Sequence, residues 1–131
     1  MGSLNAVCCL GVCYQYGIGT APDAEKAAEL YCKAAEYGSP RGQMLLARAF
    51  HDGIGVEADA AEAVYWVRAA AYQRYGEGMY RLGVCYEYGD GVEQNWEHAV
   101  HWFREAAESG VSVAMTDLGY CYEKGCGVEQ S

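Results

Sequence analysis

Residues 82–91 read LGVCYEYGDG, and this pattern decides the fold because it recurs along the chain at a fixed step. A fixed period of this length is typical of stacked helical hairpins, not of a closed globule with one cleft. The repeat therefore favours a function in binding a partner over catalysis of a reaction. The paired glycines are Gly17 and Gly19, Gly53 and Gly55, Gly89 and Gly91, and Gly125 and Gly127, each pair 36 residues from the next.

Other positions of the chain keep the same step. Four-residue steps such as Ala6, Leu10 and Tyr14 place these positions on one helix face. Each unit therefore predicts a helix A, a glycine loop, a helix B and a turn. The expected fold is an all-α solenoid of about seven antiparallel helices in one domain, with units at about 4–39, 40–75, 76–111 and a half repeat at 112–131. The repeated columns include Leu10, Leu46, Leu82 and Leu118; Tyr14, Phe50, Tyr86 and Tyr122; and Ala27, Ala63 and Ala99.

The ends of the helices also have sequence signals. The first glycine of each pair suits the end of helix A, where a left-handed conformation is least costly without a side chain. Asp23, Asp59 and Asn95 suit the N-cap of helix B. Glu62, three residues after Asp59, predicts a capping box.

The second repeat departs from the others at the end of helix B. Gly38 and Gly110 end this helix in the first and third repeats, whereas Arg74 takes their place in the second, and the next glycine is Gly76. We therefore expect a slightly longer helix B there.

The motifs resemble those of the Sel-1-like repeat family, a relative of the tetratricopeptide solenoids. The resemblance covers nearly the whole chain and implies a right-handed superhelix of helix pairs that acts as a scaffold or adaptor. Enzymatic activity is not typical of the repeat. In the first unit the motif residues are Ala6, Leu10-Gly11, Tyr14, Gly17 and Gly19, Asp23, Lys26-Ala27, Lys33-Ala34-Ala35-Glu36 and Gly38.

The charge of the chain narrows the class of partner. The 131 residues carry a net charge of −9, and the nine lysines and arginines are scattered. A strongly acidic protein without a basic patch is a poor ligand for nucleic acid or an anionic membrane surface. No long apolar segment is present, so membrane insertion is not expected. A protein or peptide partner is the remaining class.

The two ends of the chain lead to a separate expectation. Met1-Gly2-Ser3 resembles an expression leader, and the chain stops at Ser131, the position equivalent to Asn95. A fragment of a longer array is the simplest interpretation. Solenoids normally carry polar caps, so uncovered apolar residues such as Leu10 and Leu118 predict end-to-end self-association.

Seven cysteines suggest a disulfide framework at first sight, but their spacing does not. Cys13, Cys85 and Cys121 form one column, whose members are too far apart to bridge and are expected to be small buried hydrophobes. The bridge of the cysteine-rich relatives is absent, because its positions are alanine, glutamine or methionine here. A single bridge from Cys32 to a cysteine of the first helix stays open. Free thiols, with no signal peptide in this chain, favour the cytoplasm, although a fragment leaves the compartment undetermined.

No cofactor, metal or catalytic residue is predicted. The glycine pairs follow helices and lack a following Lys-Ser/Thr, so they are not phosphate loops. His98 and His101 lie three apart, but a zinc site needs further ligands. An enzyme is thus the least favoured function.

Helix A lines the concave face of tetratricopeptide-like solenoids, so its positions outside the packing columns are candidates for partner binding. Exposed tyrosines offer large contact area at low entropy cost. Arg41 and Arg48 lie seven apart, on one face, where they could grip a carboxylate. The candidate residues are Tyr16, Arg41, Arg48, His51, Tyr80, Glu87, Tyr88 and Tyr120.

Two alternatives stand beside this prediction. Some candidates have structural explanations, since Tyr80 could belong to the core between repeats and Arg48 could pair with Asp52. Tyr16 and Tyr88 directly precede the loop glycines and could pack over the loop. The whole array could also be a spacer that sets the distance between other domains and binds nothing itself.

Overall fold

The computed structural model describes residues 2–125, so Met1, Cys126, Gly127 and the chain end at Ser131 lie outside the described residues. Within that range the chain folds into helices alone, which confirms the predicted all-α solenoid. No helix in it combines the length and the apolar character that crossing a membrane requires. The helices are α1 (Gly2–Tyr16), α2 (Ala24–Glu36), α3 (Pro40–Asp52), α4 (Ala60–Tyr72), α5 (Gly76–Tyr88), α6 (Trp96–Glu108) and α7 (Ser112–Lys124).

The helices pack as a linear stack of hairpins. Each helix contacts the next one along the chain, as antiparallel neighbours joined by short loops do. Helix A of one repeat also touches helix A of the next, α1 with α3 and α3 with α5, more extensively than the B helices touch one another. The A helices α1, α3, α5 and α7 therefore form the inner side of the stack.

The predicted N-caps of helix B are confirmed. The side chains of Asp23, Asp59 and Asn95 accept hydrogen bonds from the backbone N–H three residues later, at 3.0–3.1 Å. The capping box at Asp59 is wrong, because the Asp59 N–H already donates to the Phe50 carbonyl at 2.8 Å and is not available to Glu62. The same bond joins Asp23 to Tyr14 and Asn95 to Tyr86, so each glycine loop is tied back to helix A.

The expected longer helix B in the second repeat is also wrong. Helices α2, α4 and α6 each have 13 residues. Arg74 adopts the left-handed conformation itself, with φ of 64°, where Gly38 and Gly110 have φ of 93° and 96°. Its N–H still donates to the Ala71 carbonyl at 2.9 Å, which closes the helix as glycine does elsewhere.

The core lies between the helices and follows the predicted columns. Leu46 and Leu82 are almost fully buried, whereas Leu10 is 48% exposed. Gly83 lets α5 and α6 approach closely, because a Cβ at this position would lie 2.7 Å from the Phe103 ring. A small residue on one helix thus makes room for a large one on the other.

Cys32 and the three cysteines of α1 that could have bridged to it, Cys8, Cys9 and Cys13, are free thiols, so the bridge that the sequence left open is not formed. In the column of Cys13, Cys85 and Cys121, the last two are buried, as expected for small apolar side chains, whereas Cys13 is only partly buried. Cys8, which lies outside this column, is buried as well. Cys32 is partly exposed, and its thiol donates to the Glu36 carboxylate at 3.5 Å.

Candidate functional site

A cleft opens on the inner side of the stack between α3 and α5, and we call it the α3–α5 cleft. Its volume is about 310 Å³, which is at the lower end for a ligand pocket. Helix α4 supplies the floor, where small side chains at Ala60 and Ala63 leave space between the two A helices. The apolar lining comprises Met44, Ala47, Ala60, Ala63, Val64, Val67 and Val84.

Charged side chains surround this apolar floor. They come from the last turn of α3, from the first half of α5 and from the loop that follows α5. These residues are Arg48, His51, Asp52, Glu77, Arg81 and Asp90.

A hydrogen-bonded network links the second and third repeats at one end of the cleft. His51 contacts Asp52 through Nδ1 at 2.9 Å and Asp90 through Nε2 at 2.8 Å. Arg48 approaches the other oxygen of Asp52 at 3.7 Å. The hydrogen bond to Asp52, followed by the one to Asp90, raises the pKa of His51, and the bond from His51 lowers the pKa of Asp52. Protonated His51 is thus a partner for two carboxylates at this end.

The cleft suits recognition better than covalent chemistry. Cys85 is the thiol on its wall, and burial raises the pKa of this thiol to about 11, so it is protonated at neutral pH. Within residues 2–125 no three His, Cys, Asp or Glu side chains are arranged to hold a metal ion. The cleft has an apolar floor surrounded by paired and unpaired charged side chains, and binding sites commonly combine these two features.

The structure brings two of the predicted binding residues together in this cleft, Arg48 and His51. Arg41 is exposed on α3 but does not line the cleft. Tyr16, Tyr88 and Tyr120 are 61%, 74% and 52% exposed and also lie outside the cleft. Their part in binding stays a prediction.

Tyr80 and Glu87 occupy a different place, where α5 meets α7. The Tyr80 hydroxyl donates to Asp117 at 2.9 Å, and its ring lies against Phe103 with 5.7 Å between centroids. Burial, with this hydrogen bond, raises the pKa of Tyr80 to about 12. Burial and then the charge of Asp117 raise the pKa of Glu87. Tyr80 therefore contributes to packing between repeats, the structural alternative that the sequence left open.

Sequence reasoning missed the part of the cleft that α5 and its loop provide, which includes Glu77, Arg81 and Asp90. Asp90 had a detectable signal, because its column holds Ile18 and Ile54 in the first two repeats. A charged residue in an apolar column is a departure that calls for a local partner, and His51 is that partner. Arg81 had no such signal, since its column varies in every repeat.

Comparison with known proteins agrees with this architecture. The Sel1 repeat family model matches residues 6–39, 40–75, 76–111 and 112–131. No curated protein sequence matches the chain.

Two solved structures resemble the chain over 98% of its length. A protective antigen with an SLR fold from uropathogenic Escherichia coli strains has a TM-score of 0.93 and 40% sequence identity, and a Sel1 repeat protein from Oxalobacter formigenes has 0.92 and 34%. The chain spans 28% and 53% of the length of those two proteins.

A more distant structure shares the fold. Cysteine rich protein B of Helicobacter pylori has a TM-score of 0.75 and 24% identity, over 89% of this chain and 90% of that one.

Proposed function

This chain belongs to the Sel1 repeat family, and from that premise we propose that it receives an extended segment of a partner protein in the α3–α5 cleft. Proteins of this family are generally protein-interaction scaffolds. The observation that carries the proposal is the cleft itself, an apolar floor between two A helices with a charged rim.

The rim supports a particular chemistry for the bound segment. Among the described residues, Glu77 and Arg81 form no ion pair, whereas Arg48 and His51 are engaged by carboxylates of the chain. An unpaired arginine beside an apolar pocket suits a carboxylate, because its guanidinium donates two parallel hydrogen bonds to it. The segment would thus place an apolar side chain on the floor and a carboxylate beside Arg81.

A quantitative pull-down from native lysate tests this proposal. The compared proteins are the unaltered chain, Arg81→Glu, Arg48→Glu and, as a control with the same change of charge outside the cleft, Lys124→Glu. We expect one protein to be retained by the unaltered chain and by Lys124→Glu, and to be lost from both cleft variants. Circular dichroism confirms that each variant is folded.

Two other outcomes contradict the cleft proposal. If all four proteins retain the same partner, binding occurs elsewhere, and Tyr88→Ala then tests the exposed tyrosines. If nothing is enriched over background, the spacer function is the better explanation for this chain.

A further inference from the structure

A second groove runs along α2 where the first repeat meets the second, and we call it the first-junction groove. It lies between α2, α3 and the loop after α3, with a volume of about 550 Å³. Cys32, Phe50 and Val56 form its apolar part, and Glu25, Glu29 and Glu36 contribute carboxylates. These residues lie on a different surface from the α3–α5 cleft, with which they share no lining residue.

At the next two junctions, an arginine of the chain spans the equivalent space. Arg68, the counterpart of Cys32, donates to the Tyr86 hydroxyl at 3.4 Å. Arg104 donates to the Tyr122 hydroxyl at 2.6 Å and lies 6.0 Å from the centre of that ring. Each arginine thus reaches from helix B of one repeat to helix A of the next.

The first junction lacks both members of this pair. Cys32 replaces the arginine, and Phe50 replaces the tyrosine, so neither the guanidinium nor the hydroxyl is present. The thiol is too short to cross to α3, which leaves the groove open.

The charges around the groove suit a guanidinium supplied from outside. At the second junction the counterparts of Glu25, Glu29 and Glu36 are uncharged, and at the third junction two of the three are carboxylates beside Arg104. These counterparts are Ala61, Tyr65 and Tyr72 at the second junction and Glu97, His101 and Glu108 at the third. The first junction thus has three carboxylates at these positions, more than either later junction, and lacks the chain's own arginine. Lys33 also lines the groove, but one ammonium group leaves an excess of two negative charges.

We propose that the first-junction groove binds an arginine side chain of a partner protein. The guanidinium meets Glu29 and Glu36, and the methylene stem packs on Phe50 and Val56, in the manner of Arg104 beside Tyr122. The planar guanidinium combines paired hydrogen bonds to carboxylates with stacking on an aromatic ring, which an ammonium group does not provide. The proposal goes beyond the cleft and does not depend on it.

Fluorescence anisotropy with defined peptides tests this inference. The probe is a fluorescein-labelled nonapeptide of glycine and serine with three arginines, beside a version with three lysines. We expect the unaltered chain to bind the arginine peptide more tightly than the lysine peptide. In Cys32→Arg/Phe50→Tyr, which recreates the pair of the other junctions, binding should weaken by about tenfold or more.

The control for added charge is Cys9→Arg/Phe50→Tyr, because Cys9 is exposed on α1 and does not line the groove. If this control weakens binding of the arginine peptide as much as Cys32→Arg/Phe50→Tyr does, the peptide is held only by general attraction to an acidic protein. That result overturns the inference. Equal binding of the lysine peptide, or no binding of the arginine peptide, also overturns it.

A second pair of variants keeps the test independent of folding defects. Glu29→Gln/Glu36→Gln removes two groove carboxylates and should weaken binding, whereas Glu57→Gln/Glu62→Gln removes two exposed carboxylates elsewhere and should not. Arg48→Glu disables the α3–α5 cleft and leaves the groove intact, so failure of one site is distinguishable from failure of the other.

Discussion

Arg74 holds the left-handed conformation that glycine holds at the equivalent positions of the first and third repeats. A non-glycine residue in this region is strained, by about 1–2 kcal/mol for L-residues in general. Its guanidinium contacts Glu105 of α6 at 2.6 Å, which accounts for an arginine at a position where the backbone favours glycine. The ion pair is partly exposed, so its own contribution is small.

We therefore expect Arg74→Gly to be more stable than Arg74→Ala by about 1 kcal/mol, because both lose the ion pair but only alanine keeps the strain. Urea unfolding measures this difference. Equal stability of the two variants would show that the turn relaxes to another conformation. Glu105→Gln measures the ion pair separately.

His51 gives a second prediction at the residue scale. Its pKa is raised above the ordinary 6.5, chiefly by the hydrogen bond to Asp52 and then by the one to Asp90. Protonated His51 therefore contributes its whole stabilisation to the folded state below about pH 6.5, and this stabilisation is lost as pH rises through the raised pKa. Asp52 has a lowered pKa, so the stabilisation from its ionised carboxylate is lost only as pH falls through that lowered pKa.

The measurement is the difference in urea midpoint between the unaltered chain and His51→Gln across this pH range. We expect the difference to shrink from about pH 6 to about pH 9. The nearby charges Arg48, Glu77 and Arg81 are present in both proteins. In Asp90→Asn, one of the two partners is removed, so the pH dependence should be smaller. A difference that does not change with pH contradicts the assignment.

At the scale of the elements, the glycine loops connect one repeat to the previous one. A Cβ at Gly55 would collide with the carbonyl of Ala24, and one at Gly91 would collide with that of Ala60. Each loop thus sits against the first turn of the preceding helix B. The equivalent Gly19 has nothing within 4 Å of such a Cβ, although its backbone conformation is the same.

This contrast predicts different costs for the same substitution. Gly19→Ala should cost about 1 kcal/mol for the left-handed backbone alone. Gly91→Ala should cost clearly more, since the loop must also move away from α4. Thermal or urea unfolding of the two variants compares them directly. Similar losses would mean that the contact between loop and helix is easily rearranged.

On the scale of the whole molecule, the stack is a chain of nearest-neighbour interfaces. Among the described helices, α3 and α5 each contact helices on both sides of them in the stack, as does α4, whereas the contacts of α1 are with α2 and α3. We expect amide hydrogen exchange to be slowest in the buried backbone of α3–α5 and faster in α1 and α7. Uniform exchange rates in all the helices of residues 2–125 would instead indicate a single cooperative unit.

Self-association belongs to the same scale and stays a prediction. Leu10 is 48% exposed, whereas its counterparts Leu46 and Leu82 are buried by a neighbouring repeat. Leu10→Glu should therefore suppress any concentration-dependent growth in mass seen by light scattering. A strict monomer at high concentration for the unaltered chain counts against end-to-end contact.

The sequence by itself determined the repeat, the predicted helices, the N-caps of helix B and the glycine ends of helix A, because these follow from local periodicity and from the conformational preferences of particular residues. Asp23, Asp59 and Asn95 cap helices through their own backbone neighbourhood, and Gly53 or Gly89 ends a helix through its own φ. Local rules failed at Arg74, where an ion pair to a different helix accompanies the strained turn.

The tertiary structure alone decided which side chains converge. His51 and Asp90 are 39 positions apart and meet only when the third repeat stacks on the second. Arg81 joins the cleft for the same reason, whereas Tyr80 turns into the contact with α7. Likewise, nothing in the sequence alone indicates that Cys32 and Phe50 lie close together. Only the stacked helices show that these two residues border an open groove, whose equivalent is spanned by an arginine at each later junction. Sites in a solenoid lie between repeats, so the distances that define them arise from packing and are not contained in the period.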